Sequence, residues 1–246
     1  HGAGVSHLRP FDWISEEIIL TNSRGVHGER ASEYVMMAIL MLNNRIPEMI
    51  GNQRNSNWQQ LFNTSIAGKT LLIVGVGSVG ASAAKLAKQF GLEVLGIRRS
   101  GKTNEFVDCM YKPTDLRKVL PRSDFVLITA PHTTETDQLF GKIELDLLKN
   151  GAGLINYSRA GLVDYKALQI KLNNGEISAV LDVFDPEPLP EGSSLWATPN
   201  LVITPHCSSD DQDLYTPKTL DLVLRNLGNW IHGRPIINRV NMEQEY

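Results

Sequence analysis

Short apolar runs of strand length alternate with stretches of helical periodicity along most of this chain. Residues 71–74, 93–97, 125–129, 153–156, 179–182 and 201–204 read as six strands. Helix-forming segments separate most of them, at 81–90, 115–120, 143–148 and 165–173. Buried runs alternating with helices predict an α/β fold, a doubly wound parallel sheet with helices on both faces.

Outside that region the pattern changes. Residues 28–47 place Ala31, Tyr34, Val35, Ala38, Ile39 and Leu42 at three- and four-residue steps, which predicts a helix ending at or just before Pro47. It is apolar nearly all round at 35–42, so it is expected to be buried in its own core or against a partner subunit. Residues 51–62, with Trp58, are polar and predict an exposed arm or turn. Residues 1–24 read as a glycine-bearing loop with a candidate strand at 17–21 and a turn at 22–25. An amphipathic helix over 211–232 offers Leu220, Leu222, Val223, Leu227 and Trp230 for burial, and the tail from Asn241 is expected to fray.

Composition narrows the class. At 246 residues the chain can hold one large or two modest domains; 42% hydrophobic and 21% charged residues fit a soluble globular protein. Lys plus Arg number 24 against 27 acidic residues, a formal charge of -3 that gives no reason to expect nucleic acid as a partner. The longest apolar run, 34–42, is far short of the roughly 20 residues that span a bilayer. Cys109 and Cys207 cannot form a disulfide framework and suit a reducing cytoplasm; neither lies in a zinc-binding spacing, so no metal site is expected. The opening His-Gly-Ala-Gly-Val-Ser does not read as a signal peptide and resembles the middle of a domain.

The first strand runs straight into Gly-Val-Gly-Ser-Val-Gly (75–80), followed by a helix and a second strand. In that setting the glycines form a Rossmann-type dinucleotide fingerprint. Gly75 permits the tight turn, Gly77 admits a pyrophosphate close to the backbone, and Gly80 lets the helix pack on the strand. The N–H groups around Ser78 and Val79 then face the anion. An NAD site usually carries Asp or Glu about 20 residues on, for the ribose 2′-hydroxyl. Here Arg98, Arg99 and Ser100 stand in that region. Guanidinium groups bind a 2′-phosphate through charge-assisted, bidentate bonds, which predicts NADP(H) in preference to NAD(H).

Ligands of open α/β sheets lie beyond the carboxyl ends of the strands. That rule selects Ala130, Pro131 and His132 after the third strand and Tyr157, Ser158 and Arg159 after the fourth. It also selects Asp182 at the fifth and Pro205 with His206 after the sixth. Reduction of a carbonyl by hydride needs a proton donor and a positive group beside the developing alkoxide. His206 can supply the proton, Glu187 can orient its ring and favour the charged form, and Arg159 can hold a substrate carboxylate or carbonyl. His132 and His232 read as loop and surface residues.

The chain resembles the D-isomer-specific 2-hydroxyacid dehydrogenase family, closest to its NADPH-dependent glyoxylate/hydroxypyruvate reductases. The matching stretches are 75–80, Ala-Pro-His-Thr-Thr-Glu-Thr (130–136), Ile-Asn-Tyr-Ser-Arg-Ala-Gly-Leu-Val-Asp (155–164), Leu-Asp-Val-Phe-Asp-Pro-Glu-Pro-Leu-Pro (181–190) and Val-Ile-Thr-Pro-His (202–206). The resemblance implies that Arg159, Glu187 and His206 are the catalytic trio and that Asp182 lies near the nicotinamide amide. It brings Thr136 among the cofactor-binding residues, and it makes Gly2, Ala3 and Gly4 part of the loop that binds the substrate carboxylate. It also implies a homodimer formed through the 28–47 helix and the arm around Trp58.

On the same basis residues 1–24 are the remnant of a substrate-binding domain and 25–207 the dinucleotide-binding domain; 208–246 is the helix returning to the first. The chain is thus expected to lack the first part of its substrate domain. It departs from the family pattern in Ala160 after Arg159, in a stretch between Arg159 and Glu187 one residue short, and in Cys-Ser-Ser-Asp after His206. The alternative to a reductase is a non-catalytic, NAD(P)-sensing binding protein of the same fold, like the family's corepressor members; the intact trio favours the enzyme.

Overall fold

The computed structural model describes residues 2–15 and 17–246; His1 and Glu16 lie outside the described residues. Seven parallel strands form one sheet: β1 (Thr70–Val74), β2 (Glu93–Ile97), β3 (Cys109–Tyr111), β4 (Phe125–Ile128), β5 (Gly153–Asn156), β6 (Ser178–Leu181) and β7 (Leu201–Ile203). Their spatial order is β3-β2-β1-β4-β5-β6-β7, so the chain reverses direction of travel between β1 and β4. That switch point opens a crevice at the carboxyl ends of those two strands.

The strands are buried on both sides because alternate residues feed two cores. Leu72, Val74, Val126, Ile128 and Leu154 face one core, which they share with Leu168 and Leu172 of α6 (Tyr165–Asn173). Leu71, Ile73, Leu127 and Ile155 face the other. That core is covered by α1 (Gly28–Asn43), through Val35, Ala38, Ile39 and Leu42, and by α3 (Ser78–Gln89), through Ala83, Ala84 and Ala87. The alanines let α3 lie close to the sheet. Two short helices, α4 (Leu116–Val119) and α5 (Lys142–Asp146), complete the layers.

The seventh strand, β3, escaped the sequence reading. It has only three residues at the sheet edge, Cys109 exposed and Met110 and Tyr111 half-buried, too short a run to mark it. Residues 17–21 do not form a strand: Thr21 makes one antiparallel bridge with Arg239, while Ile18 and Ile19 are exposed without a ladder partner. After α1, Arg45 takes a left-handed conformation (φ +54°) and Pro47 sits in the first turn of a new helix, α2 (Ile46–Arg54). Residues 51–54 of the expected arm are therefore helical. The remainder is exposed apart from the half-buried Leu61, with Trp58 at 93% and Phe62 at 83%.

The last helix, α7, is Tyr215–Ile231, and its start is set by Asp211, whose carboxylate accepts from the backbone of Asp213 and Leu214. Leu220, Val223, Leu227 and Trp230 are exposed on it, contrary to the burial expected, because no described element packs on that face. The tail is not frayed. Val240 is buried and donates its N–H to Leu20 O, and Asn22 donates to Asn238 O, so the two ends of the chain are joined. Among the described residues no helix is long and apolar enough to cross a membrane.

Candidate active site

The glycine turn behind β1 has three distinct geometries. Gly75 has φ +105°, and a Cβ there would stand 2.3 Å from Ala130 N. Gly80 packs so tightly that a Cβ would meet Gly75 O at 2.6 Å. Gly77 faces open space, with nothing within 4 Å of a Cβ. Gly77 also caps α3 without any side-chain hydrogen bond, which leaves the first-turn N–H groups, those of Ser78 and Val79 among them, pointing into that space. An open helix N-terminus beside a Cβ-free approach fits the pyrophosphate of a dinucleotide.

Beyond β2, Arg98 is half-buried and Arg99 and Ser100 are exposed. Ser100 Oγ accepts from Lys102 N at 3.3 Å. Arg99 donates from Nη2 to the Tyr246 hydroxyl at 2.8 Å, lies over that ring at 5.1 Å, and approaches Glu135 Oε2 at 3.6 Å.

The loops after β4 and β5 are tied together above the crevice. Thr129 Oγ1 donates to Gly75 O at 2.8 Å and Ser158 Oγ donates to Ala130 O. Thr136 Oγ1 closes its own loop, donating to Pro131 O at 2.7 Å and accepting from Thr133 N at 2.8 Å. Tyr157 is buried and donates to Tyr34 O at 3.3 Å; burial first, and the Asp182 charge second, push its phenol well above the usual range. His132 pairs with Asp137 at 2.7 Å and packs its ring against Gly161, where a Cβ would meet it at 2.4 Å.

Asp182, 1% exposed, anchors the turn after β7. Its Oδ1 accepts from Thr204 Oγ1 at 2.6 Å and Cys207 N at 3.0 Å, and its Oδ2 from Ser208 N at 3.2 Å. Those three bonds bracket His206, which sits in a left-handed conformation at φ +50°. Its Nδ1 lies 2.7 Å from Glu187 Oε2, while Glu187 Oε1 accepts from Phe184 N at 2.7 Å. Both carboxylate oxygens are thus fixed, one by backbone and one by imidazole, and Nε2 is left available.

Arg159 follows β5. Its Nη1 donates to Ser158 O at 2.7 Å, and burial draws its pKa below the ordinary guanidinium value while the Glu187 charge opposes that shift. Gly4 lies directly on the guanidinium, so a Cβ there would stand 2.5 Å from Nη2. Gly2 O accepts from Ser23 N at 2.8 Å, and Ala3 is exposed between them. Arg159 forms part of an open cleft of about 650 Å³ whose wall includes Ser6, His7, Arg9, His132, Thr134 and Asp185. The sequence-selected trio is thereby linked through Glu187, which contacts His206 and bears electrostatically on Arg159.

Thr204, which the 202–206 match contained without a role, orients Asp182. Three residues at the site, Arg9, Glu245 and Tyr246, had no signal in the sequence. Arg9 donates to His132 O at 2.8 Å and pairs with Glu245 at 3.1 Å. Glu245 accepts from Thr134 N at 2.6 Å, and Tyr246 meets Arg99. The Arg9–Glu245 contact spans 236 positions between two irregular segments, where no periodicity could announce it.

Residues 36–208 match the profile of the D-isomer specific 2-hydroxyacid dehydrogenase, NAD binding domain. The chain belongs to the D-isomer specific 2-hydroxyacid dehydrogenase family. A glyoxylate reductase of Korarchaeum cryptofilum is 34% identical over 99% of this chain and 75% of its own length. A family member from Xanthobacter autotrophicus, solved in complex with NADPH and MES, superposes with a TM-score of 0.91 at 31% identity, covering 99% of this chain and 100% of that one. The NADPH-dependent glyoxylate/hydroxypyruvate reductase of Sinorhizobium meliloti, solved with NADP and sulfate, gives 0.90 at 27% identity over 100% of this chain and 78% of that one. The sheet is thus that of a nicotinamide-dinucleotide-binding domain.

Proposed function

We propose that this chain reduces a small 2-oxo acid, of the glyoxylate or hydroxypyruvate kind, to a D-2-hydroxy acid at the expense of NADPH. The observation that carries the reading is the 2.7 Å His206–Glu187 pair, whose Glu187 bears electrostatically on Arg159, a residue lining the open cleft. The names and ligands of the relatives point the same way.

When bound, NADPH supplies the hydride. The turn of Gly75, Gly77 and Gly80 and the N–H groups at Ser78 and Val79 would hold its pyrophosphate, with Ala130, Pro131, Thr136, Tyr157, Ser158 and Asp182 along the rest of the crevice. Arg98, Arg99 and Ser100 would take the 2′-phosphate, no carboxylate of their own turn standing there and the exposed Glu135 at 3.6 Å from Arg99 being displaceable. Arg159 and the backbone of Gly2, Ala3 and Gly4 receive the substrate carboxylate. With Glu187 ionised, His206 donates from Nδ1 to it and carries the transferable proton on Nε2. That proton passes to the carbonyl oxygen as negative charge grows there, and Arg159 stabilises the charge.

Residues 1–24 and 208–246 supply the substrate-side unit, a reading supported by the Thr21–Arg239 bridge. The half-exposed Met37 and Leu40 of α1, with Trp58 and Phe62, support association as a homodimer. Two unpaired cysteines, Cys109 and Cys207, suit a reducing cytoplasm. Following NADPH oxidation with glyoxylate, hydroxypyruvate and pyruvate tests the activity. Turnover with at least one is expected, and none with any, despite bound NADPH, would leave the binding-protein alternative standing.

A further inference from the structure

We propose that Tyr246 is a cofactor-selectivity residue that positions Arg99 for the 2′-phosphate of NADP(H). The inference rests on the NADPH reading above and concerns a residue that touches Arg99 rather than the reacting atoms.

Arg99 stands on an exposed turn closed by the Gly101 N to Arg98 O bond. A guanidinium there would ordinarily sample many rotamers, and ordering it on phosphate binding costs side-chain entropy. Here it is already held on two sides. The phenol oxygen accepts one N–H at 2.8 Å, and the ring lies 5.1 Å from the guanidinium carbon. Most of the five guanidinium donors remain for an anion. The 3.6 Å approach to Glu135 joins two exposed side chains, a weak pairing that a doubly charged phosphate displaces.

Tyr246 can act this way because the tail beneath it is fixed. Glu245 accepts from Thr134 N at 2.6 Å and Thr134 Oγ1 at 3.2 Å, and pairs with Arg9 at 3.1 Å. Asn241 N donates to Tyr246 O at 3.0 Å, closing the tail on itself. The final dipeptide therefore bridges the loop after β4, on the substrate side, to the end of β2. NADH presents only a 2′-hydroxyl at that end and has no use for an ordered Arg99. Loss of Tyr246 should then weaken NADPH and spare NADH, a split that a merely structural role would not give.

The test is calorimetric titration of the full chain with NADPH, NADH and adenosine 2′,5′-bisphosphate, which carries the 2′-phosphate without the nicotinamide. Wild type is compared with Tyr246→Ala, Tyr246→Phe, Arg99→Ala and the double variant, all checked for unchanged Tm. The expected results are tighter wild-type binding of NADPH than NADH, and about 5-fold to 10-fold weaker binding of NADPH and the bisphosphate by Tyr246→Ala, with NADH within about twofold. Tyr246→Phe should fall between, and the double variant should match Arg99→Ala. A wild type without NADPH preference would overturn the cofactor reading and this inference with it. A wild type that prefers NADPH, with Tyr246→Ala changing neither cofactor or both equally, would overturn this inference alone.

Discussion

Glu187 reaches His206 Nδ1 across 2.7 Å while its other oxygen is held by the Phe184 amide. The ring therefore has one orientation and one donor direction left. Glu187→Gln keeps the shape but removes the charge that accompanies the imidazolium, so kcat should fall by about 10-fold to 100-fold while NADPH affinity stays put. Steady-state kinetics together with a direct cofactor titration separates the two quantities.

Gly4 has no room for a side chain because Arg159 lies on it. In Gly4→Ala the guanidinium is the part able to move, and it would leave the position proposed for it against the substrate carboxylate. The expected outcome is a KM for the 2-oxo acid about 10-fold higher or more, with Tm within about 2 °C of wild type.

The glycine turn offers a contrast within three residues. Gly77→Ala adds a Cβ to open space at an ordinary backbone angle, so the fold should keep its Tm while NADPH binds about 10-fold more weakly. Gly75→Ala forces a side chain into φ +105° and against Ala130, and should lower stability by about 2 kcal/mol or more. Thermal melts with and without NADPH distinguish them.

Asp108 pins the outer edge of the sheet, accepting from Val94 N at 2.8 Å and from Lys88 Nζ at 2.8 Å. The Lys88 ammonium first, and the Val94 amide next, hold its carboxyl below the usual carboxylate range. A depressed folded-state value means its contribution is full above the unfolded value and disappears as pH falls through the folded one. Asp108→Ala should accordingly lower Tm by about 1 °C to 3 °C at neutral pH, a small figure because the pair is largely solvated, and by progressively less as the pH is taken below the ordinary carboxylate range. Paired melts across that range check it.

Six of seven strands, the glycine turn and the residues at each strand end were legible because buried parallel strands carry continuous apolar runs and end at recognisable turns. The edge strand at Cys109 was not, since a three-residue strand with no buried residue is defined by its neighbour rather than by its own composition. The apolar stripe of α7 predicted a buried helix; amphipathicity reports that a face can be covered, not that these residues cover it. The tail gave the opposite error. Its polarity read as fraying, whereas Glu245 and Tyr246 are held by Arg9, Thr134 and Arg99, contacts that exist only after the fold has brought the loops beyond β2 and β4 beside these residues.

The central claim is proton delivery by His206 during reduction by NADPH, and His206→Gln addresses it most directly. Glutamine can keep a bond to Glu187 but cannot release a proton. NADPH oxidation with the best 2-oxo acid should fall by about 100-fold or more, with NADPH affinity and Tm unchanged. A variant that oxidises NADPH at the wild-type rate would contradict the account.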